Sequence, residues 1–308
     1  MKGASRPVFF YHDLYGRSLH PEARFPRERY WMVREAWDGR GLSRRAQLQT
    51  PEPATAAALL LAHDDDWVRR FLEGGLTDAE VRRIGFRPWT PFFVERTLTI
   101  MGGTLGALQA LHAGAPVAGN LAGGTHHAFR AHGEGYCVFN DLALAARMAQ
   151  ANFGWRRVLI LDLDVHQGNG TAALFAHDPD VYTVSVHGAR NYPFRKQVSD
   201  HDVELPDGAT DADLMRVLDR HLETWLLQSR PDVVFYQAGV DSLQGDRLGR
   251  LAHTRDGLQA RNRRVYEAVQ QWGCPLLVTM GGGYGVDIRT SVEAHVDVYQ
   301  QAIDAFGR

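Results

Sequence analysis

Over its last two thirds the chain alternates short, continuous apolar runs with amphipathic stretches. Val158-Leu-Ile-Leu161, Val181 to Val186, Val233 to Tyr236 and Leu276 to Met280 are compact apolar runs, each followed by polar or glycine-rich sequence. Pro116 to Asn120 is a shorter candidate strand. Between them, Leu214, Val217, Leu218, Leu222, Trp225 and Leu226 form one helical stripe opened by Thr210. Leu258, Val265, Val269 and Trp272 form another, opened by Thr254, and Val292, Val296, Tyr299, Ala302 and Phe306 a third. Strands apolar on both sides, alternating with helices, predict a parallel sheet covered on both faces.

The first third reads as mainly helical. Tyr30, Met32, Val33 and Trp37 have helix-like spacing, and Thr55 to Leu61 and Asp66 to Leu72 predict two more helices, the second behind an Asp cluster suited to capping. Thr90-Pro91 pairs a cap with proline at the first helical position and opens a helix running to His112, with Gly102-Gly103 as a candidate break. No Pro/Ser-rich linker, long charge run or repeat divides the chain. Residues 1–308 therefore read as one domain.

Composition narrows the function classes. With 34 Lys+Arg against 36 Asp+Glu, the formal charge of -2 gives no general attraction to nucleic acid or an anionic membrane. Lys2 and Lys196 are the only lysines. Two cysteines, Cys137 and Cys274, cannot make a disulfide framework or a four-cysteine zinc site, and they suit a reducing compartment. The apolar stretch from Pro7 is too short for a signal peptide and no segment is long enough for a membrane span, so a soluble, cytoplasmic protein is expected.

Chemistry concentrates where strands end. In Val158-Leu-Ile-Leu-Asp-Leu-Asp-Val-His166, strand alternation sets Asp162, Asp164 and His166 on one side, at the carboxyl end where open α/β sheets bind ligands. A lone Asp-x-Asp is as often a helix cap as a ligand pair, but Asp241 closes a second strand run in the same topological place. Two Asp and one His leave a metal open positions for water and substrate, as catalytic sites do, and the donor mixture suits Zn2+ without excluding Fe2+. The tandem His126-His127 adds groups able to take a proton from water and return it to a leaving amine, with Asp162 and Asn169 available to fix their tautomers. Gly281-Gly-Gly-Tyr-Gly285 is not a dinucleotide loop, since Val286 stands at the last glycine position; it presents Tyr284, whose phenol can stabilise an oxyanion.

These pieces resemble the histone deacetylase family, within the arginase/deacetylase fold. GGTHHA (123–128), GYCVFND (135–141), LDLDVHQGNG (161–170), AGVDSLQGDRLGRL (238–251) and GGGYG (281–285) occur in the family's order, with looser matches in HPEARFPRERY (20–30) and RPWTPFFVERT (87–97). The combination is most similar to the class IV branch and its bacterial relatives. The resemblance implies a single-domain, three-layer α/β/α fold around an eight-stranded, mainly parallel sheet, and hydrolysis of an N-acyl amine. It implies Asp164, His166 and Asp241 as metal ligands, His127 oriented by Asn169 as general base and acid, and His126 paired with Asp162 as an electrostatic partner. Tyr284 would polarise the acyl carbonyl, and Gly135 and Tyr136 would line a channel for the acyl-lysine side chain. A structural K+ near Asp162, Asp164, His166 and Ser185 is also implied.

Three departures stand out. Tyr136 replaces a common Phe, Asn169 replaces the Asp of some classes and so leaves His127 without a carboxylate partner, and residues 84–96 hold no counterpart of the rim Asp that grips a peptide backbone. The leading expectation is a zinc-dependent deacylase acting on acyl-lysine in protein or peptide, with acetyl or longer chains. An acetylpolyamine amidohydrolase would use the same core on a small acylated amine and would carry acidic residues at the channel mouth. A ureohydrolase would need a second metal, and a silent acyl-lysine binding module would not need all six site groups. The oligomeric state is left open, a monomer included.

Overall fold

The computed structural model describes residues 6–17, 19 and 25–307; residues 20–24 of the N-terminal motif lie outside the described residues. Eight strands form one sheet: β1 (Val8–Phe10), β2 (Gln47–Gln49), β3 (Val117–Asn120), β4 (Val158–Asp162), β5 (Val181–Gly188), β6 (His201–Leu205), β7 (Val233–Gln237) and β8 (Leu276–Thr279). Their order is β2-β1-β3-β8-β7-β4-β5-β6, and every pairing is parallel rather than mainly so. The central strands β4, β7 and β8 are buried at every position, which is what their continuous apolar runs require. β1 is also apolar and buried at every position but only three residues long, and the strands without apolar runs are the two edges. On β2 (Gln-Leu-Gln) and β6 (His-Asp-Val-Glu-Leu), solvent-facing positions take polar residues.

The helices before β3 are α1 (Leu14–Arg17), α2 (Glu28–Gly39), α3 (Ala56–Leu59), α4 (Asp65–Glu73), α5 (Asp78–Ile84) and α6 (Pro91–His112). Those that follow are α7 (Asp141–Asn152), α8 (Asn169–Phe175), α9 (Asp211–Ser229), α10 (Arg255–Trp272) and α11 (Ile288–Phe306). One layer runs α2-α11-α10-α9 and the other is built on α6, α7 and α8, giving the α/β/α sandwich. Thr90 caps α6 by accepting from the Phe93 N–H at 3.1 Å, with Pro91 at the first position. That helix passes unbroken through Gly102-Gly103, because burial of its apolar residues against β1 and β3 outweighs the glycines' low helix propensity. Thr55 to Leu61 forms only the single turn of α3. Asp64 stands at the N-cap of α4, but its carboxylate pairs with Arg130 at 2.7 Å instead of capping. No helix among the described residues is long and apolar enough to cross a membrane, and Cys137 and Cys274 are both free thiols.

His63 ties the helical first third to the loops beyond β3. Its Nδ1 donates to the Phe129 carbonyl at 2.9 Å and its Nε2 accepts from the Asn140 N–H at 2.9 Å, so the ring is neutral in the fold. Burial pushes it down to about 4 from the ordinary 6.5. Below 6.5 the unfolded chain binds a proton that the folded chain refuses until about 4, so this contribution is complete above pH 6.5 and lost as pH falls towards 4. The shift corresponds to about 3 kcal/mol at most. Urea unfolding between pH 7.5 and 4.5 should show a stability decline that is shallower in His63→Gln. An identical slope in the variant would contradict the assignment.

Candidate active site

Four neighbouring strands, β3, β8, β7 and β4, deliver the chemistry from their carboxyl ends. The strand alternation expected for Asp162, Asp164 and His166 does not hold. β4 ends at Asp162, and Asp164 and His166 stand in the loop beyond it. There the Asp164 Oδ1 accepts the His166 N–H at 3.0 Å, and the Asp162 Oδ1 accepts the Asp164 N–H at 3.1 Å. Local side-chain bonds, not the pleat, aim the residues inward.

Asp164, His166 and Asp241 present ligand atoms within 4.8 Å of one another, all buried. The Asp164 Oδ1 and the Asp241 Oδ2 each lie 3.0 Å from the His166 Nδ1. The remaining oxygens are already bound: the Asp164 Oδ2 accepts from the Gly282 N–H at 2.7 Å and the Asp241 Oδ1 from the Val165 N–H at 2.9 Å. One ring nitrogen with at most one proton cannot satisfy two carboxylates, and burial beside Asp164 pushes the Asp241 carboxyl up to about 7. A divalent cation would satisfy all three donors at once, so the residues fit a metal. Gly282 is required at its position because a Cβ there would meet the Asp241 Oδ2 at 1.8 Å.

The two histidines stand beside this cluster with their tautomers fixed. The His126 Nδ1 donates to the Asp162 Oδ2 at 2.6 Å and the His127 Nδ1 donates to the Asn169 Oδ1 at 2.7 Å. Burial lowers His126, but the Asp162 and Asp164 carboxylates outweigh it and raise the ring above its usual range. Burial, with the charges of His126 and His166, drives His127 well below it, leaving a neutral ring whose Nε2 can accept a proton. The loop carrying both rings is pinned by Asp141, whose carboxylate accepts from the N–H groups of Gly124 and Thr125 at 3.0 and 2.7 Å and from the Thr104 hydroxyl at 2.7 Å.

Three residues that the sequence reading did not single out complete the arrangement. The Asn169 Nδ2 donates to the Glu134 Oε1 at 2.8 Å, which fixes the amide so that its oxygen faces His127. A carboxylate therefore does stand behind His127, one hydrogen bond further out. Arg261, fully buried, donates to the carbonyls of Leu163 and Gly239 at 3.2 and 2.7 Å and so clamps the loops bearing Asp164 and Asp241. Asp246 accepts the Tyr284 N–H at 2.6 Å and holds the glycine-rich loop.

Tyr284 lines a cavity of about 580 Å³ shared with His126, His127, Asp164, His166 and Asp241. Burial keeps its phenol well above the ordinary range, hence protonated. Gly135 and Tyr136 lie on the same wall. A Cβ on Gly135 would strike the His127 ring at 2.6 Å, and Tyr136 is held at φ 66, a conformation uncommon for a non-glycine residue. The rings of Phe25, Phe86 and Tyr136 pack edge-on or tilted, with centroids 5.1 to 5.3 Å apart, around the buried guanidinium groups of Arg29 and Arg96.

A family model described as histone deacetylase domain matches residues 21–299. The chain belongs to the histone deacetylase family. An uncharacterized protein of Picosynechococcus is 43% identical, over 96% of this chain and 98% of its own length. Histone deacetylase 2 of Arabidopsis thaliana is 30% identical over 86% of this chain and 70% of its own. The acetoin utilization protein AcuC of Bacillus subtilis is 28% identical over 91% and 78%. Membership makes this chain a hydrolase of the deacetylase type. It also agrees with the all-parallel α/β sheet of the arginase/deacetylase fold.

Proposed function

We propose that the chain hydrolyses the amide of Nε-acyl-lysine, with Asp164, His166 and Asp241 as ligands of a divalent ion, Zn2+ or Fe2+. The observation that carries this reading is the pair of histidines with both Nδ1 protons committed, at 2.6 and 2.7 Å, beside the buried three-donor cluster. A bound ion would polarise the acyl carbonyl and lower the pKa of the attacking water. The His127 Nε2 accepts the proton of that water as its oxygen attacks the carbonyl carbon. As the carbon–nitrogen bond breaks, His127 passes the proton to the leaving amine, giving a free lysine and a carboxylic acid that loses its remaining proton at neutral pH. His126, held charged by Asp162, adds positive potential, and the Tyr284 hydroxyl donates to the oxygen on which charge develops. Gly135 and Tyr136 flank the lysyl chain, and acyl groups longer than acetyl belong to the same reading, with Phe25, Phe86 and Ile100 lining the cavity beside the Arg29 and Arg96 guanidinium groups. A monovalent cation, K+, beside Asp162 and Ser185 belongs to the same reading; these two residues sit opposite one another on β4 and β5. The continuous sheet supports a single domain over the whole chain.

Charge favours acyl-lysine over an acetylpolyamine. Among the described residues lining the cavity, the only carboxylates are Asp164 and Asp241, whereas Arg83, Arg190, Arg247 and Arg250 also line it, so a polycation would meet like charge on its way in. Turnover should be measured on matched acetyl-lysine and long-chain acyl-lysine peptides and on an N-acetylpolyamine, with the metal-loaded protein. An acyl-lysine should exceed the polyamine by at least about tenfold in kcat/KM. The reverse order would overturn the substrate. No turnover on any of them, with peptide still bound, would revive the silent binding module.

A further inference from the structure

The entrance of the cavity is basic in a chain that is acidic overall. Four exposed arginines line it, Arg83, Arg190, Arg247 and Arg250, whereas the formal charge of the whole sequence is -2. The carboxylates nearby are mostly committed elsewhere. Glu134 is bound to Asn169, and Asp246 accepts from the N–H groups of Leu248, Gly249 and Tyr284 at 2.8, 3.0 and 2.6 Å. Asp207 alone faces the rim, shared by Arg190 at 3.5 Å and Arg250 at 3.4 Å, with the two arginine side chains 73% and 51% exposed. Arg83 and Arg247 have no ion-pair partner among the described residues; the Arg247 Nε donates to the Tyr284 carbonyl at 3.1 Å. Counting Asp207, Asp246 and Glu134 against the four guanidinium groups leaves a net of one positive charge around the opening, with Glu134 and Asp246 already accepting from N–H groups and the arginines the exposed charges. Phe194, 87% exposed, adds an apolar face on the same rim.

We propose that this rim selects acyl-lysines carried on acidic peptide segments, with Asp or Glu within a few residues of the modified lysine. The inference rests on the acyl-lysine hydrolase reading and specifies its substrate class. The reacting groups lie inside the cavity, so the chain carrying the lysine must lie across the opening, where an extended peptide rises about 3.3 Å per residue. Its first few flanking side chains then fall within the Debye length, about 8 Å at physiological salt, of the four guanidinium groups. Guanidinium groups pair with carboxylates through two parallel hydrogen bonds, and this rim offers several N–H groups not bound to a carboxylate. The same field disfavours lysine- and arginine-rich segments.

The test uses three acyl-lysine peptides, identical except that the flanking residues are Glu, Gln or Lys, with the full-length metal-loaded protein. Binding is read by fluorescence anisotropy and turnover by kcat and KM. The Glu peptide should bind about tenfold more tightly than the Gln peptide, the Lys peptide more weakly still, and the difference should sit in KM rather than kcat. Raising the salt from about 20 mM to about 500 mM should collapse the preference. Arg190→Gln/Arg250→Gln should shrink it to below about threefold, and Arg190→Lys/Arg250→Lys should keep most of it. Equal affinity for the Glu and Gln peptides, or a preference for Lys, would overturn the inference. So would an unchanged preference in the Gln double variant. Tighter binding to phosphatidylglycerol vesicles than to any peptide would assign the rim to an anionic surface and overturn it as well. If the Glu peptide binds selectively but no peptide is hydrolysed, the rim stands and the hydrolase reading fails.

Discussion

Replacing His127 by Ala is expected to lower kcat on an acyl-lysine peptide by about 10²- to 10⁴-fold, with KM and metal content little changed. The expectation follows from the ring's wiring. Its Nδ1 proton is committed to Asn169 at 2.7 Å, and burial beside His126 and His166 keeps the ring neutral. In the proposed reaction its Nε2 is the proton acceptor, and an alanine supplies none. His127 is not one of the three clustered donors, so metal analysis of the variant should match the parent. Steady-state kinetics with metal analysis makes the check, and kcat within a few fold of the parent would remove His127 from the chemistry.

Tyr284→Phe is expected to cost about 10²- to 10³-fold in kcat while the protein stays folded and metal-loaded. The loop around Tyr284 is held through its backbone, by Asp246 on the N–H at 2.6 Å and by Arg247 on the carbonyl at 3.1 Å. The hydroxyl has no hydrogen-bond partner among the described residues, so its loss leaves these anchors in place. Because the phenol is held protonated, its contribution should be flat across neutral pH. Near-normal turnover in the variant would rule out an oxyanion role for this residue.

What could be read from the sequence followed from where each signal resides. The apolar runs of β4, β5, β7 and β8 are local and unbroken, so those strands and the carboxyl-end residues Asp162, Asp164, His166 and Asp241 were legible. The polar edges β2 and β6 have no such run, since the sheet's hydrogen bonds rather than their own burial define them, and β1 is apolar and buried but only three residues long, too short to announce a strand by itself. The supporting residues of the site were hidden for a different reason. Glu134 meets Asn169 across 35 positions, and Arg261 meets Leu163 across 98. An acid or an arginine in such a place looks like any surface charge until the fold closes. Asn169 shows the consequence: the sequence suggests a histidine without a carboxylate, while the fold places one behind the amide.

In the proposed reaction, hydrolysis depends on a divalent ion held by Asp164, His166 and Asp241. The most direct test is turnover of an acyl-lysine peptide by protein stripped with a chelator and then titrated with Zn2+ or Fe2+, beside Asp241→Asn taken through the same steps. Activity should vanish on stripping and return at one equivalent of ion in the parent. The variant, with one of three donors weakened, should neither hold the ion at that ratio nor recover turnover. Full activity in the stripped protein, or recovery of Asp241→Asn equal to the parent, would contradict the account.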